Sequence, residues 1–462
     1  MKTLSLALRN LLRNRRRSLT TLLAMVVGAV TILLFGGYRR DIGYGLETSY
    51  VQRSGHLQIE HKDYFLYGSG NPGAFGVSDY LHIIDVVKHD PVLGPMVRVA
   101  TPTLQLGGIA GNFAAGVSRT VLVTGMVVPD QNALRQWNDY GMTYTRPPVP
   151  LTGTADDAIV IGSGVARVLE LCGPLQVPDC SRRQVALDPG PGNLPADIAA
   201  LAAREQAAAS TRDDTQIEVL AANVHGAPNV ASLNVVKAET QGVKEIDDVY
   251  VAMHLTQAQR LLFGRERPQV TAIVLQLYRS SQLAAAKARL ETLLATTFSS
   301  APLEFKDFST LNPFYGQAIA MFNTIFGFIA VLIGAIVLFT VSNTMSTAVV
   351  ERTVEIGTLR ALGLRRGGIR RLFVCEGLLL GAFGSALGVI VALVVAGAIN
   401  YAGLTWTPPG WAKPIPLVIR LASEPRLVLG TAIALTAVAT LSAWWPARRA
   451  GRMNIVDALR HV

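Results

Sequence analysis

Four runs of uncharged, largely apolar residues dominate this chain of 462 residues. Each run reaches the roughly 18 residues that a helix needs to cross the hydrocarbon core of a bilayer. Helix-length runs predict an integral membrane protein and disfavour an outer-membrane β-barrel, whose strands are shorter and alternate. The composition agrees, because 50% of the residues are hydrophobic and 16% are charged. The runs are residues 19–37, 311–350, 377–411 and 427–447.

The net charge of +10 is concentrated beside these runs. Residues 1–18, 351–371 and 448–462 together hold 16 basic and 3 acidic residues, so the rest of the chain carries a net charge of −3. Basic residues gather on the cytoplasmic side of membrane proteins. The pattern therefore predicts cytoplasmic termini and a cytoplasmic loop between the second and third runs, and it does not favour nucleic acid as a partner.

The fold class that follows is an α-helical membrane protein with four transmembrane helices and a large α+β extracytoplasmic domain inserted between helices 1 and 2. The remaining segments are short connections on one side of the membrane or the other. The predicted boundaries are a cytoplasmic amphipathic N-terminal helix at 1–18, transmembrane helix 1 at 19–38, the extracytoplasmic domain at 39–311, transmembrane helix 2 at 312–345, a cytoplasmic coupling segment at 346–371, transmembrane helix 3 at 372–400, an extracytoplasmic loop at 401–426, transmembrane helix 4 at 427–447 and a cytoplasmic tail at 448–462.

The first run resembles a signal peptide, since it follows a basic start. It is too long for one, however, and lacks a closing small-x-small pattern, so we expect an uncleaved anchor. The residues before it favour a helix in the cytoplasmic headgroup layer, with a disordered basic tail as the alternative. The apolar residues at helical spacing in this segment are Leu4, Leu8, Leu11 and Leu12.

The outer region predicts mixed α/β structure. Helices are expected at Ser281–Thr297 and at Gln257–Phe263, the latter capped by Thr256 and ended by Gly264. Loops are expected at Tyr67–Tyr80, which is rich in glycine, and at Asp188–Ser210, which is rich in Pro, Gly and Ala. The predicted strands are Leu57–Ile59, Thr120–Val123, Ala158–Ile161, Ile217–Leu220, Val249–Val251 and Val270–Leu277.

The cysteines divide between the two sides of the membrane. Cys172 and Cys180 fall in the outer region, where thiols become oxidised, and are candidates for a disulfide around a short Gly-Pro loop. Cys375, at the cytoplasmic start of the third run, is expected to be an inert packed thiol.

Catalytic and metal-binding patterns are weak. His56, Glu60 and His61 do not have the spacing of the helical His-Glu-x-x-His zinc motif, so a structural role is favoured. The pairs Asp213–Asp214 and Asp247–Asp248 are expected to be solvated loop charges. The glycines of residues 107–111 and 162–164 lack the Gly-Lys-Ser/Thr of a phosphate-binding loop. We therefore expect no catalytic residue, no metal and no cofactor in this chain, and a membrane enzyme is a weak alternative.

The segment from Glu351 to Gly363 is the most informative one. As a helix it places Ile356, Leu359 and Leu362 near one face, a pattern typical of docking into a partner's groove. The alternative is a solvated positive-inside loop. The candidate coupling residues are Glu351, Arg352, Glu355, Ile356, Gly357, Leu359, Arg360, Leu362 and Gly363.

This Glu-Arg-x-x-Glu-Ile-Gly-x-Leu-Arg-Ala-Leu-Gly run resembles the hallmark of FtsX-like, MacB-type ABC transporter permeases. The tail is similar as well, with Pro446 to Ala450 followed by Ile455 to Arg460, although Asn454 stands near the position where the family usually has proline. The Arg-Asn repeats of residues 9–17 and the Ser-Gly-His-Leu start of the outer domain at residues 54–57 extend the resemblance over the whole chain.

The resemblance implies a stand-alone permease without a fused ATPase domain, similar to lipoprotein-release permeases of the LolC/LolE kind. A separate cytoplasmic ABC ATPase dimer, which holds ATP and magnesium, would dock on the coupling segment and move the first two spans. Other implied partners are a second permease copy or a paralogue, membrane lipids, and a periplasmic carrier, a lipoprotein or an outer-membrane protein. The implied location is the cell inner membrane.

Two function classes follow from the resemblance. In one, the outer domain exports or releases a lipoprotein, a lipid or a hydrophobic compound. In the other, as in FtsX-like regulators, the stroke transmits force to a periplasmic partner and nothing is transported. The large outer domain favours the first class.

Two further features of the runs concern helix length and helix packing. An unbroken helix over residues 311–350 would be roughly 60 Å long, about twice the hydrocarbon thickness, provided that Pro313 and Asn323 do not interrupt it. A small-xxx-small repeat on the third run favours close helix contact, either within the chain or in a dimer. The repeat consists of Gly377, Gly381, Gly384 and Gly388.

Overall fold

The computed structural model describes residues 2–13, 15–143, 146–178, 180, 215–407 and 414–454. The chain divides into two compact units. The membrane unit comprises residues 1–45, 316–406 and 415–462, and the domain unit comprises residues 46–315 and 407–414. Within the described ranges, four helices are long and apolar enough to cross a membrane, and a large α/β region lies between the first and the second. The predicted fold class is confirmed.

The helices and strands follow one another in an order that separates the two units. The helices are α1 (Lys2–Arg13), α2 (Arg15–Ser54), α3 (Tyr64–Tyr67), α4 (Tyr80–His89), α5 (Val128–Arg135), α6 (Ser163–Val168), α7 (Lys244–Asp247), α8 (Leu255–Phe263), α9 (Leu283–Thr296), α10 (Phe308–Leu311), α11 (Pro313–Glu351), α12 (Thr353–Ala361), α13 (Arg366–Ala402) and α14 (Pro425–Arg452). The strands are β1 (Leu57–His61), β2 (Val97–Asn112), β3 (Val117–Met126), β4 (Ala158–Gly162), β5 (Gln216–Ala222), β6 (Pro228–Glu239), β7 (Tyr250–His254), β8 (Ala272–Leu277), β9 (Leu303–Asp307), β10 (Thr405–Trp406) and β11 (Ile415–Pro416).

The first two membrane helices exceed the length of a simple span. Helix α2 continues for 16 residues beyond residue 38, through a stretch that the sequence assigned to the outer domain. It ends where Gly55 adopts a positive φ of 68°, a conformation that glycine tolerates best. Helix α11 is unbroken over 39 residues, about 58 Å, because Pro313 is its first residue, where the missing N–H needs no partner.

The four glycines of the small-xxx-small repeat lie at contacts within the chain. A Cβ atom on Gly377 would lie 2.5 Å from the Cβ atom of Ala443, so this glycine lets α13 approach α14 closely. Gly381 faces α14 in the same way. Gly384 and Gly388 face α2, where a Cβ atom on Gly388 would lie 2.5 Å from the Cβ atom of Ala29.

The domain unit is organised by one mixed sheet of nine strands among the described residues, in the order β3-β7-β4-β6-β5-β2-β8-β1-β9. Strand β2 also pairs with β3, so six of the strands close into a ring. Strands β8, β1 and β9 extend the sheet away from this ring through antiparallel pairs. Helices α4, α8 and α9 contribute to the core, whose fully buried residues include Leu57, Leu104 and Ile159.

All six predicted strands lie within or overlap observed strands, but β2, β6 and β9 were not predicted. Strand β2 was not predicted because its second half is rich in glycine, which has a low strand propensity. Tertiary pairing requires that composition. Residues 109–111 of β2 pair with β5 while the same stretch pairs with β3, and a Cβ atom on Gly108 would lie 2.8 Å from the Leu220 carbonyl oxygen.

Two local predictions were wrong. Thr256 does not cap helix α8, because His254 is the N-cap residue and the Thr256 hydroxyl lies 3.3 Å from the Asp156 carboxylate. Asp247 is not a solvated loop charge. It is buried, and its carboxylate accepts hydrogen bonds from the backbone N–H groups of Ser163 and Gly164 at the start of α6, at 3.0 and 3.1 Å.

The remaining local predictions concern a loop, the cysteine pair and segments outside the described residues. The Tyr67–Tyr80 loop contains two single 3₁₀ turns, at Gly68–Gly70 and Pro72–Phe75. Cys172 and Cys180 are paired in the structure, with Cα atoms 5.8 Å apart, a separation that a disulfide spans. Residues 188–210, the pair at 213–214 and the tail from residue 455 lie outside the described residues.

Replacing Gly377 with valine should reduce the free energy of unfolding by about 1–3 kcal/mol, because the new side chain would overlap Ala443 of α14. Gly397→Val is the matched control, since no atom lies within 4 Å of a Cβ atom built at that position of the same helix. Denaturant unfolding of the detergent-solubilised chain measures both. Equal losses in the two variants would mean that close approach at Gly377 does not stabilise the helix pair.

Glu60 is the most unusual acid of the sheet. Its side chain is buried in β1 opposite Glu304 of β9, and its Oε1 atom has no hydrogen-bond partner among the described residues. Burial, with a smaller contribution from Glu304, raises the pKa of Glu60 to about 7. The folded state therefore holds a proton that the unfolded chain has released above its ordinary pKa of about 4.3.

The domain should lose stability as the pH rises from about 4.5 to about 7, because the unfolded chain releases the Glu60 proton over this range while the folded domain keeps it. Glu60→Gln mimics the protonated acid and should reduce this loss. Hydrogen exchange of β1 amides in the full-length chain at pH 5 and pH 8 measures the effect. The proposal for Glu60 fails if the variant and the wild type show the same change in protection between the two pH values.

Candidate functional site

The connection between the second and third membrane helices forms a short helix with a bend at each end. Helix α11 ends at Glu351, and Arg352 leaves helical geometry with φ −102° and ψ 20°. Helix α12 follows and ends before Gly363, whose φ is +96°. Because L side chains rarely adopt such a φ, glycine is the residue that permits this turn into α13.

A buried ion pair ties this connection to the third membrane helix. The Arg352 guanidinium donates to the Glu376 carboxylate of α13 at 2.8 Å, and the two side chains are only 7% and 3% exposed. Asn10 of α1 completes the network. Its side-chain amide donates to Glu376 at 2.7 Å, and its carbonyl oxygen accepts from Arg352 at 3.3 Å.

Two exposed ion pairs lie beside the buried one. Arg17 of α2 makes a two-point contact with Glu351, in which one nitrogen–oxygen distance is 2.8 Å. Arg13 of α1 pairs with Glu355 of α12. Exposed pairs of this kind stabilise a fold by about 1 kcal/mol or less. They leave both glutamates at a surface where other groups can reach them.

The apolar residues of the connection divide between an inner and an outer face. Ile356 and Gly357 are buried, and Ile356 packs in the core of the membrane unit. Val354, Leu359 and Leu362 are exposed by 46%, 39% and 80%. We call these three residues with Glu351 and Glu355 the connector surface. The structure thus brings the predicted coupling residues together, but it separates Ile356 from Leu359 and Leu362, which sequence periodicity placed on one face.

The end of the last membrane helix also meets this connection. Arg360 of α12 donates a hydrogen bond to the carbonyl oxygen of Met453, just after α14. Helix α1 packs against α13, with Ala7 buried and Leu8 40% exposed, while the side chains of Leu4 and Leu12 lie outside the described ones. Elements that are far apart in the sequence therefore converge on one short helix.

Glu376 and Asn10 were not predicted as site residues. Glu376 was passed over because it immediately precedes an uncharged run and resembles an ordinary boundary charge. A sequence signal was present, since Glu376 is the only acid in residues 356–411 and residues 360–371 before it contain five arginines. A lone acid at the edge of a membrane helix indicates that a basic side chain pairs with it.

The histidine directly before β1 has a structural role. His56 is fully buried, its Nδ1 atom accepts from the Leu277 backbone N–H at 3.0 Å, and burial lowers its pKa to about 4. His56 is therefore neutral at pH 7 and serves as a packing group against Trp137. In the described part of the chain, no group of three His, Cys, Asp or Glu residues is arranged to hold a metal ion.

The part of the chain that contains this connection is similar to a known protein family. Residues 320–455, which include α12, the glutamate of α13 and most of α11, match the family model described as FtsX-like permease C-terminal. This part of the membrane unit is therefore similar to the C-terminal region of FtsX-like permeases. The resemblance to FtsX-like, MacB-type permeases that the motifs predict is thereby confirmed.

Three relatives illustrate the range of similarity. The ABC transporter permease YtrF of Bacillus subtilis is 36% identical over 137 residues, 29% of this chain and 30% of YtrF. Macrolide export ATP-binding/permease protein MacB of Sodalis glossinidius is 29% identical over 218 residues, 46% of this chain and 30% of that protein. MacB of Escherichia coli K12 is 31% identical over 143 residues, 31% of this chain and 20% of MacB. The matched regions thus span less than a third of each relative.

Replacing Glu376 with glutamine should lower the free energy of unfolding by about 3 kcal/mol, because Arg352 would remain buried without a counter-charge. Glu355→Gln, which removes an acid from an exposed pair, should cost less than about 1 kcal/mol. Denaturant unfolding of the solubilised chain provides the comparison.

An Arg352→Met, Glu376→Met double variant tests whether the stability lost in Glu376→Gln comes from an unpaired buried charge. Replacing both partners by apolar side chains leaves no unpaired buried charge, so most of the stability lost in Glu376→Gln should return. If the double variant is as unstable as the single one, the hydrogen bonds of Asn10, and not the ion pair, stabilise the connection.

Proposed function

We propose that this chain is the permease subunit of an FtsX/MacB-type ABC transporter, whose ATP is hydrolysed by a separate cytoplasmic ATPase dimer. The observation that carries the proposal is the connector surface. It presents exposed apolar side chains and two carboxylates on and directly before the short helix α12, and ion pairs hold this connection to α1, α2 and α13 of the same unit. The names of the relatives, an ABC transporter permease and an ATP-binding/permease protein, support the same assignment.

The ATPase would press on α12, and the buried ion pair would transmit this displacement. Because the side chains of Arg352 and Glu376 are almost completely buried, a shift of α12 relative to α13 that separated them would leave two buried charges unpaired, so the two helices should move together. Helices α2 and α11 each contribute residues to both units. Motion of their membrane portions would therefore reach the α/β domain along continuous helices. ATP and magnesium would be held by the partner, and this chain would be non-catalytic.

The positive charge around the connector surface supports a cytoplasmic location for it, and hence cytoplasmic termini and a periplasmic domain in an inner membrane. The proposed substrate is a lipoprotein, a lipid or a hydrophobic compound that the domain motion exports or releases, as in lipoprotein-release permeases. A force-transmitting regulator of a periplasmic partner would use the same connector surface. The proteins that co-purify with the chain distinguish the two, because a carrier or lipoprotein supports transport and a hydrolase supports regulation.

Reversing both charges in a Glu351→Lys, Glu355→Lys variant should reduce co-purification of the ATPase at least tenfold. The variant also breaks the pairs with Arg17 and Arg13, so loss of binding alone would be ambiguous. A fourfold variant that adds Arg13→Glu and Arg17→Glu restores opposite charges within the chain. Mass spectrometry of the complex extracted without ATP measures ATPase recovery for both.

The two variants lead to different conclusions. If the glutamates contact the ATPase directly, the fourfold variant should remain defective although its unfolding midpoint matches that of the wild type. If binding returns in the fourfold variant, the glutamates act only through the intrachain pairs. Wild-type recovery with Glu351→Lys, Glu355→Lys would remove the connector surface from the coupling mechanism.

A further inference from the structure

A groove runs along the membrane helices beside the middle of α2. It has a volume of about 410 Å³ and is formed by α2, α11 and α14 of the membrane unit. Its wall is apolar, and two arginines, Arg40 and Arg426, line one end. The apolar lining includes Ile32, Phe326, Leu427, Leu435 and Val438.

The basic side chains at this end of the groove outnumber the acids that pair with them among the described residues. Glu424 lies 3.7 Å from Arg40, too far for a good hydrogen bond, and its carboxylate already accepts from the Tyr44 hydroxyl at 2.6 Å. Arg426 is exposed and has no ion pair within the described ranges. Asp41 is used by Arg420 at 2.7 Å. Arg40 and Arg426 therefore stand at the mouth of an apolar groove, and among the described ion pairs only Arg40 has a carboxylate partner, Glu424.

The length of the groove matches one leaflet of a bilayer. Arg426 and Val438 lie 12 residues apart on α14. At 1.5 Å per residue this is about 18 Å, slightly more than half of the roughly 30 Å hydrocarbon core. The guanidinium groups would thus lie at headgroup depth while the apolar wall follows an acyl chain toward the midplane.

We propose that this groove is a binding site for an anionic phospholipid, with the phosphate on Arg40 and Arg426 and one acyl chain along α11 and α14. Arginine binds phosphate oxygens through paired N–H groups, and basic pockets between membrane helices select anionic lipids. A zwitterionic lipid fits the apolar wall equally well, but it leaves the surplus positive charge unbalanced. The site shares no residue with the connector surface.

Native mass spectrometry of the full-length chain tests whether the two arginines select an anionic lipid. The chain is reconstituted in nanodiscs of equal phosphatidylglycerol and phosphatidylcholine, and the lipids retained after release are counted. The wild type should retain phosphatidylglycerol preferentially, and Arg40→Gln, Arg426→Gln should reduce that preference about tenfold. Arg448→Gln, Arg449→Gln is the matched control, because it removes two exposed arginines at the other end of α14 and should leave the preference unchanged.

A second pair of variants tests the acyl chain. Gly430 lines the groove, and a Cβ atom built on it has no neighbour within 4 Å, so Gly430→Leu should fill the groove without disturbing the helices. It should reduce total retained lipid of both kinds. Gly327→Leu is the control, since that position also has open space but is not part of the groove lining.

Several outcomes would overturn the site. Equal loss of preference in the two arginine pairs would mean that net charge attracts the lipid without a defined site. Unchanged retention in Gly430→Leu would mean that the lipid binds elsewhere. If Arg40→Gln, Arg426→Gln fails to fold, the single Arg426→Gln variant, which breaks no described ion pair, should still lower the preference, and an unchanged preference there contradicts the proposal.

Discussion

The buried contact between Arg352 and Glu376 is the interaction on which the membrane unit depends. A guanidinium and a carboxylate that are nearly free of water attract each other strongly, but each is costly to bury alone. The pair therefore holds only if α11, α12 and α13 keep their mutual positions. Asn10 adds α1 to the same network. One polar contact thus joins four helices that apolar packing alone would hold with less directional preference.

Glycine contacts provide the second constraint on these helices. In a membrane, helices gain little from excluding water, so association depends on close packing of small residues. The repeat on α13 meets α14 through its first two glycines and α2 through its last two. Helix α13 is thus the central helix of the unit, and the buried ion pair lies one residue before the first glycine. Helix α11 is the least buried of the four membrane helices in the described part of the chain.

Much of the architecture could be predicted because membrane spanning imposes simple rules. Uncharged runs, their lengths and the flanking arginines determine the number of spans and the position of the inserted domain. The connection motif around Glu351 to Gly363 was also visible, since its residue types form a continuous pattern. Strand β2 and the position of Asp247 could not be predicted, because the first depends on pairing with two strands and the second on hydrogen bonds from a distant helix start.

The sequence by itself determined that this is a four-helix membrane protein with an inserted α/β domain, because hydropathy and charge act residue by residue. Only the tertiary structure decided which coupling residues face outward. Arg352 is buried by contacts with residues 24 and 342 positions away, and Ile356 packs in the core of the membrane unit, while Glu351, Glu355 and Leu362 remain exposed. It also decided that Arg40 and Arg426, nearly 400 residues apart in the chain, line one groove. Periodicity within one helix cannot specify which face another helix will cover.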